Sequence, residues 1–330
     1  MKSAFLSLLL CAAACAQTLP PGVLGDGDQR FIVDDEAYEK QSGEVAEQLA
    51  KEGKLVNYTE IAVKAPREHP AISIAPPNDK ALPPTELAET LRKSTVAVGL
   101  RYLDPKKRGG KNAKGDPSKK WSYMIGATAF AVAPGVFSTS LHVMTLDPSF
   151  MKEAQAVAVT SYGKVFPITG VIAASDRADT CLISVPGLDL PPLPIRSGVR
   201  TGEPVWCMSH PDGFTYMFTG GQVARVSRDR WDQKHQPALH VEVTAEYCPG
   251  SSGGALADAA GNVVAQVSSI NNYEGIDDPE GRSVNGIVSA RTCTAAEEIL
   301  ALTHPGVNEP VPTPVPRATP KPRPRFPKAP

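Results

Sequence analysis

Glu246 to Asp258 reads EYCPGSSGGALAD, a run of small residues that holds two adjacent serines between glycines. Such a run is either a flexible connector or a tight turn that offers a hydroxyl beside converging backbone N–H groups, as acyl transfer requires. A serine hydroxyl becomes a nucleophile only when a base takes its proton, and the base works best when a carboxylate fixes its tautomer. The decision therefore lies with the histidines and aspartates elsewhere in the chain.

There are six histidines. His69 and His304 lie among prolines, and His235 lies in the polar stretch RDRWDQKHQ, all poor places for a rigid base. His142 differs: GATAFAVAPGVFSTSLHVMT has the pattern of a buried hairpin followed by a tight segment that presents an imidazole at a strand end. Further on, in ASDRADTCLISV, Asp179 directly precedes an apolar strand, where a carboxylate is costly unless something donates a hydrogen bond to it.

Three segments in the order His, Asp, Ser resemble those of the chymotrypsin-fold serine proteases, and among them the bacterial Deg/HtrA-like group. They are Thr139-Ser140-Leu141-His142-Val143, Asp176 and Asp179 ahead of Leu182 and Ile183, and Pro249 to Leu256 with Ser252 in the nucleophile's place. The resemblance implies two perpendicular β-barrels with a cleft between them, a polypeptide substrate, no cofactor and no metal. It implies His142 as general base and acid, Asp179 as its orienter, Ser252 as nucleophile, and the N–H groups of Gly250 and Ser252 as an oxyanion hole. Glu246, six residues before the nucleophile, would lie at the base of the specificity pocket and favour Lys or Arg, with Val267, Ser268 and Ser269 as walls. A shifted loop register would instead leave Glu246 on the surface.

Some positions depart from the family pattern. Ser251 stands where digestive members have Asp, so activation through an ion pair with a new N-terminus is not expected. Leu141 replaces the usual Ala, and Ala127 and Ala129 stand where Gly is common. An inactive binding module on the same scaffold is the alternative reading. GSSGG also fits the Gly-x-Ser-x-Gly elbow of α/β-hydrolases. Their order is Ser, acid, His, and the only histidine after Ser252 is His304, beside the tail. Only about 40 residues follow Ala290, so no PDZ domain is expected in them.

The bulk composition agrees with an all-β body. Among 330 residues there are 27 glycines and 32 prolines, which favour turns over long helices. Eleven short runs such as STVAVGLRYL, TCLISV and NVVAQVSSI read as strands. The expected fold is all-β: two six-stranded Greek-key β-barrels with a short C-terminal helix, an N-terminal arm and a disordered Pro-rich tail. Residues 1–16 form a signal peptide, 17–90 an accessory arm with one helix, and 91–303 the protease domain. Its barrels span about 91–190 and 191–290, and the terminal helix 294–303 starts with a capping box from Thr294 and Glu297. Residues 304–330 form the basic Pro-rich tail, a solvated end or a contact for an anionic envelope polymer.

A net charge of -1 gives no reason to expect nucleic acid as partner. MKSAFLSLLLCAAACA is an apolar run too short for a membrane span, ending in Ala14-Cys15-Ala16, so the chain is expected to be exported to the periplasm or beyond. Lipid anchoring through Cys15 is the alternative, and no integral membrane segment is expected in the mature chain. Cys181, Cys207, Cys248 and Cys293 then remain, as disulfides or as buried thiols.

Overall fold

The structure is a computed structural model and describes residues 23–25, 31–63, 68–69, 71–111, 117–145, 153–228, 237–273 and 288–307. The expected signal peptide and residues 308–330 of the expected tail lie outside the described residues.

The N-terminal arm carries β1 (Val23–Gly25) paired with β2 (Phe31–Val33), then α1 (Asp35–Lys51), α2 (Tyr58–Val63), β3 (Glu68–His69) and α3 (Pro84–Ser94). Helix α1 forms where its sequence supplies both ends. Asp34 caps it by accepting the Ala37 N–H at 3.0 Å, Asp35 and Glu36 sit in the first turn, and Lys51 sits in the last. Its buried residues Tyr38, Ser42 and Ala46 recur every four positions, which places them on one face.

Next comes a seven-stranded antiparallel sheet. It contains β4 (Thr95–Lys111), β5 (Pro117–Ala133), β6 (Val136–Thr139), β7 (Ala154–Thr160), β8 (Val165–Pro167), β9 (Gly170–Ser175) and β10 (Thr180–Ser184). Their spatial order is β8-β7-β4-β5-β6-β10-β9. The second half is a closed six-stranded barrel. It contains β11 (Pro204–Ser209), β12 (Met217–Arg228), β13 (Leu239–Val243), β14 (Ala255–Ala257), β15 (Val263–Tyr273) and β16 (Val288–Ala295), ordered β11-β12-β13-β16-β15-β14.

The two-unit all-β architecture is therefore as expected, with one difference. The first unit is a seven-stranded sheet, because KVFPITGVIAA makes two strands: the chain turns at Ile168 and Thr169, whose N–H groups bond to Ala156 O and Ser184 O on different neighbours. The terminal helix also begins later than expected, at Ala296, and the capping box does not form. Thr294 Oγ1 donates instead to Ala178 O at 2.6 Å, and Glu297 accepts the Gly198 N–H at 2.8 Å.

Alternation decides where each strand points. On β4, Val96 and Val98 enter the interior of the first sheet with Ala129, Phe137 and Ile183, while Ala97 faces a second core. That second core joins the two halves and the helices, bringing Phe130 and Leu182 together with Met208, Val263, Tyr38 and Leu87. Polar ties reinforce it: Ser138 Oγ donates to Gln266 at 2.6 Å and Ser140 Oγ to Val267 O at 2.7 Å, both from the first sheet to β15. Burying apolar area on this scale fixes the relative position of the halves, and with it any site built between them. Among the described residues no helix is long and apolar enough to cross a membrane.

Candidate active site

Three turns meet where the halves touch. The first follows β6, where the chain makes a single helical turn over Leu141–Met144. Leu141, Val143 and Met144 are buried in the first core, so His142 is the one residue of that turn left facing outward. Leu141 thus fills the core in front of β10 and gives the imidazole a firm base.

The second turn precedes β10. Asp179 adopts φ 49°, a left-handed conformation that aspartate tolerates better than most residues. It is held there by its own N–H to Asp176 O at 3.2 Å and by its carbonyl, which accepts the Leu141 N–H at 3.2 Å.

The third turn precedes β14. The Ser251 N–H closes on Cys248 O at 3.0 Å, with Pro249 and then Gly250 at the two corners. Gly250 has φ 96°, so this is the type II turn that a Pro-Gly pair favours. Gly253, at φ 85°, is equally constrained: a Cβ there would collide with Thr128 O and with Thr139. The glycines of the opening motif are therefore fixed turn positions.

His142 joins the three turns. Its Nδ1 lies 2.8 Å from Asp179 Oδ2, and its Nε2 lies 2.9 Å from Ser252 Oγ. The carboxylate also accepts the His142 backbone N–H at 2.9 Å on Oδ1 and the Ser268 hydroxyl at 2.6 Å on Oδ2. An acceptor-only carboxylate beside Nδ1 requires the proton there, which leaves Nε2 bare toward the serine. The His142 side chain is 47% exposed and that of Asp179 28%, so the imidazole is reachable from solvent while the carboxylate is partly screened.

The backbone around Ser252 is oriented as well. The Pro249 carbonyl accepts the Asp212 N–H at 2.7 Å, and Thr128 takes the next two carbonyls that matter: its Oγ1 donates to Gly250 O at 3.1 Å and its N–H to Ser252 O at 2.9 Å. In a trans peptide the N–H points opposite to the carbonyl. The Gly250 N–H therefore faces away from Asp212, and the Ser252 N–H faces away from Gly254, whose N–H holds Ser251 O at 2.8 Å; neither is donated to a described residue. Ser251 is fully buried and accepts the Ser209 hydroxyl at 3.0 Å, so the two serines of the motif have opposite environments.

The remaining expected site residues are placed differently. The Glu246 side chain is 71% exposed and ion-paired with Arg291, while its carbonyl accepts from Thr219 at 2.7 Å. Val267 is buried and pairs with Gly253 and Gly254 through its backbone, at 2.8 and 2.9 Å. Ser268 points to Asp179 and Ser269 is exposed. The bulge in the β15–β16 ladder between Val267 and Ser269 explains the change in direction.

Several neighbours carry no sequence signal for their place. Tyr247 is buried, and its hydroxyl lies 3.1 Å from Ser269 O and 3.2 Å from Thr292 O. His210 is fully buried, and desolvation pushes its imidazole down to about 3, so it is neutral at physiological pH. The four cysteines among the described residues are free thiols. Cys181, Cys207 and Cys293 are buried, and burial pushes Cys207 up to about 12, which makes it unreactive.

Residues 127–265 match the trypsin-like peptidase domain. A probable periplasmic serine endoprotease, DegP-like, from Pseudomonas fluorescens is 26% identical over 167 residues, covering 50% of this chain and 33% of the relative. A protein of the same description from Hahella chejuensis is 31% identical over 107 residues, covering 32% of this chain and 22% of the relative. The chain thus spans a third or less of the length of these relatives. Among solved structures, an HtrA-type protease AlgW with decapeptide superposes with a TM-score of 0.51 at 17% identity, covering 67% of each chain, which establishes the likeness of fold.

Proposed function

We propose that this chain, which carries a trypsin-like peptidase domain, is an exported serine endopeptidase working through Ser252, His142 and Asp179. The observation that supports it most is His142 standing within hydrogen-bond reach of both partners, 2.8 Å from Asp179 and 2.9 Å from Ser252. Export rests on the sequence of residues 1–16 and on the periplasmic description of the relatives.

In the proposed reaction Ser252 Oγ attacks the scissile carbonyl carbon as its proton passes to His142 Nε2. The carbonyl oxygen takes the negative charge and is met by the Gly250 and Ser252 N–H groups, which have no described acceptor competing for them. Asp179 stabilises the imidazolium without taking its proton. His142 then gives the proton to the leaving nitrogen, the C–N bond breaks, and an acyl ester on Ser252 remains. Water repeats the sequence: its proton goes to His142, its oxygen bonds to the acyl carbon, and Ser252 recovers the proton as the ester bond breaks.

Glu246, Val267, Ser268 and Ser269 are proposed as the region that meets the substrate, with two refinements. Ser268 acts on Asp179 through its hydroxyl, and Glu246 presents a charge already shared with Arg291. The decisive experiment is labelling by a fluorophosphonate probe together with cleavage of a peptide library. Wild type should be labelled and should cleave, and Ser252→Ala should do neither. A pure, folded wild type that resists the probe and cleaves nothing overturns the proposal in favour of a binding module.

A further inference from the structure

A buried histidine, a short turn and the N-terminal helix take no part in the reaction above, yet they meet behind it. After β11 the chain runs through His210 into a 3-10 turn, Pro211–Gly213, packed against the serine turn. The Asp212 N–H holds Pro249 O at 2.7 Å. The hydroxyl of Thr128 donates to Gly250 O, accepts the His210 backbone N–H at 3.1 Å and lies 3.0 Å from His210 Nδ1. A Cβ on Gly250 would collide with His210 O and come within 3.0 Å of Asp212 N. Residues 210–212 are thus the wall on which the Pro249–Gly250 peptide rests.

That wall is itself held from outside. Asp212 and Tyr216 both sit in the left-handed region, at φ 47° and 58°, which such residues keep only when their surroundings fix them. Asp35, at the start of α1, accepts both the N–H of Thr215 at 2.9 Å and its hydroxyl at 2.6 Å. The Tyr38 hydroxyl lies 3.2 Å from that of Tyr216 and 2.8 Å from Thr160 O. Phe31 packs edge-on against Tyr216, and the Tyr216 ring lies 4.5 Å from that of His210. Contacts run without a break from the arm, through Thr215 and Tyr216, to the peptide that orients the Gly250 N–H.

We propose that the segment Phe31–Lys51 is a clamp that positions the oxyanion turn, with Asp35 as its principal positioning residue. The serine turn has two accessible forms. Rotating the Pro249–Gly250 peptide by about 180° converts type II to type I and replaces the Gly250 N–H by a carbonyl. No charged side chain among the described residues bonds to Ser251 to select between them, since its hydroxyl meets the neutral hydroxyl of Ser209. The Asp212 N–H selects the productive form by holding the Pro249 carbonyl, and α1 holds the loop that carries Asp212. The consequence for rate rests on the proposed endopeptidase function; the consequence for the rigidity of the turn rests on the contacts alone.

The test compares Asp35→Ala, Asp35→Asn and Glu36→Ala in the full chain, reading kcat and KM on a peptide and amide exchange across residues 246–254. Asp35→Ala should lose about tenfold in kcat with KM nearly unchanged, and its turn should exchange faster. Asp35→Asn keeps an oxygen that accepts from Thr215 and should stay within about twofold of wild type. Glu36 is exposed and carries the same charge on the same helix end, so Glu36→Ala isolates the effect on the helix itself. Tyr38→Phe, which loses the hydroxyl that faces Tyr216 and bonds Thr160 O, should show a smaller change of the same kind. Unchanged kcat and unchanged exchange in Asp35→Ala overturn the clamp, as does an equal loss in Glu36→Ala. If wild type neither cleaves nor reacts with the probe, the endopeptidase reading fails, and the exchange comparison still decides whether the arm orders the turn.

Discussion

Two histidines touch the same serine turn from opposite sides, and their surroundings make them different chemical objects. His142 is half exposed, has a carboxylate on one nitrogen and a hydroxyl on the other. His210 is fully buried, has one hydroxyl on Nδ1, and leaves Nε2 with no hydrogen-bond partner among the described residues. A base that must gain and lose a proton in each turnover needs a counter-charge for its cation and access for the reacting groups. A neutral imidazole that shapes a wall needs neither.

The sharpest way to break this contrast is to remove the groups around His142. Ser252→Ala and His142→Ala should each lower kcat by about 10⁴-fold or more with the melting temperature little changed, because such residues act as a unit. Asp179→Asn should lose about 10⁴-fold through the wrong tautomer. Retained peptide cleavage in any of the three would refute the mechanism. Next in size is Gly250→Ala. It should cost at least the hundred- to thousandfold of a lost oxyanion donor, since the added Cβ collides with His210 and the left-handed φ is strained as well. Ser268→Ala removes one of the three bonds to the Asp179 carboxylate, and a loss of about three- to tenfold in kcat is expected.

His210 should reveal itself in stability, not turnover. Its imidazole falls from the usual 6.5 to about 3 on burial, so below pH 6.5 the unfolded chain takes up a proton that the folded chain refuses. The stability tied to this is complete above pH 6.5 and drains away as pH falls toward 3. Urea unfolding at pH 7 and pH 4 should show wild type losing about 3 kcal/mol more than His210→Asn, which carries no titrating ring. Equal losses in the two proteins would mean that His210 is not held neutral.

The same contrast shows what the sequence carries. That His142, Asp179 and Ser252 meet was legible because each closes a turn next to an apolar strand and because their order along the chain is informative. Ser252 was separable from Ser251 by that pattern, and the two environments agree with the separation. The strands were legible from alternation, with exceptions that have local causes. Ala255–Ala257 has no β-branched residue and pairs on both edges all the same, and β16 runs through Thr292 and Thr294, which alternate with buried Cys293 and Ala295 as polar members of a strand. Long-range partners were not legible. Nothing near Ser268 announces Asp179, nothing near Asp35 announces Thr215, and the helix expected in the arm says nothing about what its first turn touches.

Glu246 is where the two kinds of information pull apart, and it gives the smallest expected effect. Counting back from Ser252 makes it the base of a pocket for Lys or Arg, an inference that treats the acid as free. Its carboxylate is paired with Arg291, which lies on β16 opposite Ile270, and the acid is largely in water. An exposed pair of this kind changes energies by about 0.2–1 kcal/mol, so a factor of about five in rate is the upper bound. Glu246→Gln should therefore change the preference for basic over neutral peptides by less than about threefold. Arg291→Gln should raise that preference by about two- to fivefold, because the acid is then unshared. The gain should shrink in salt, as screening requires. A tenfold or larger loss of cleavage after Lys and Arg in Glu246→Gln would show that the acid acts on substrate directly and that Arg291 turns away from it when a peptide is bound.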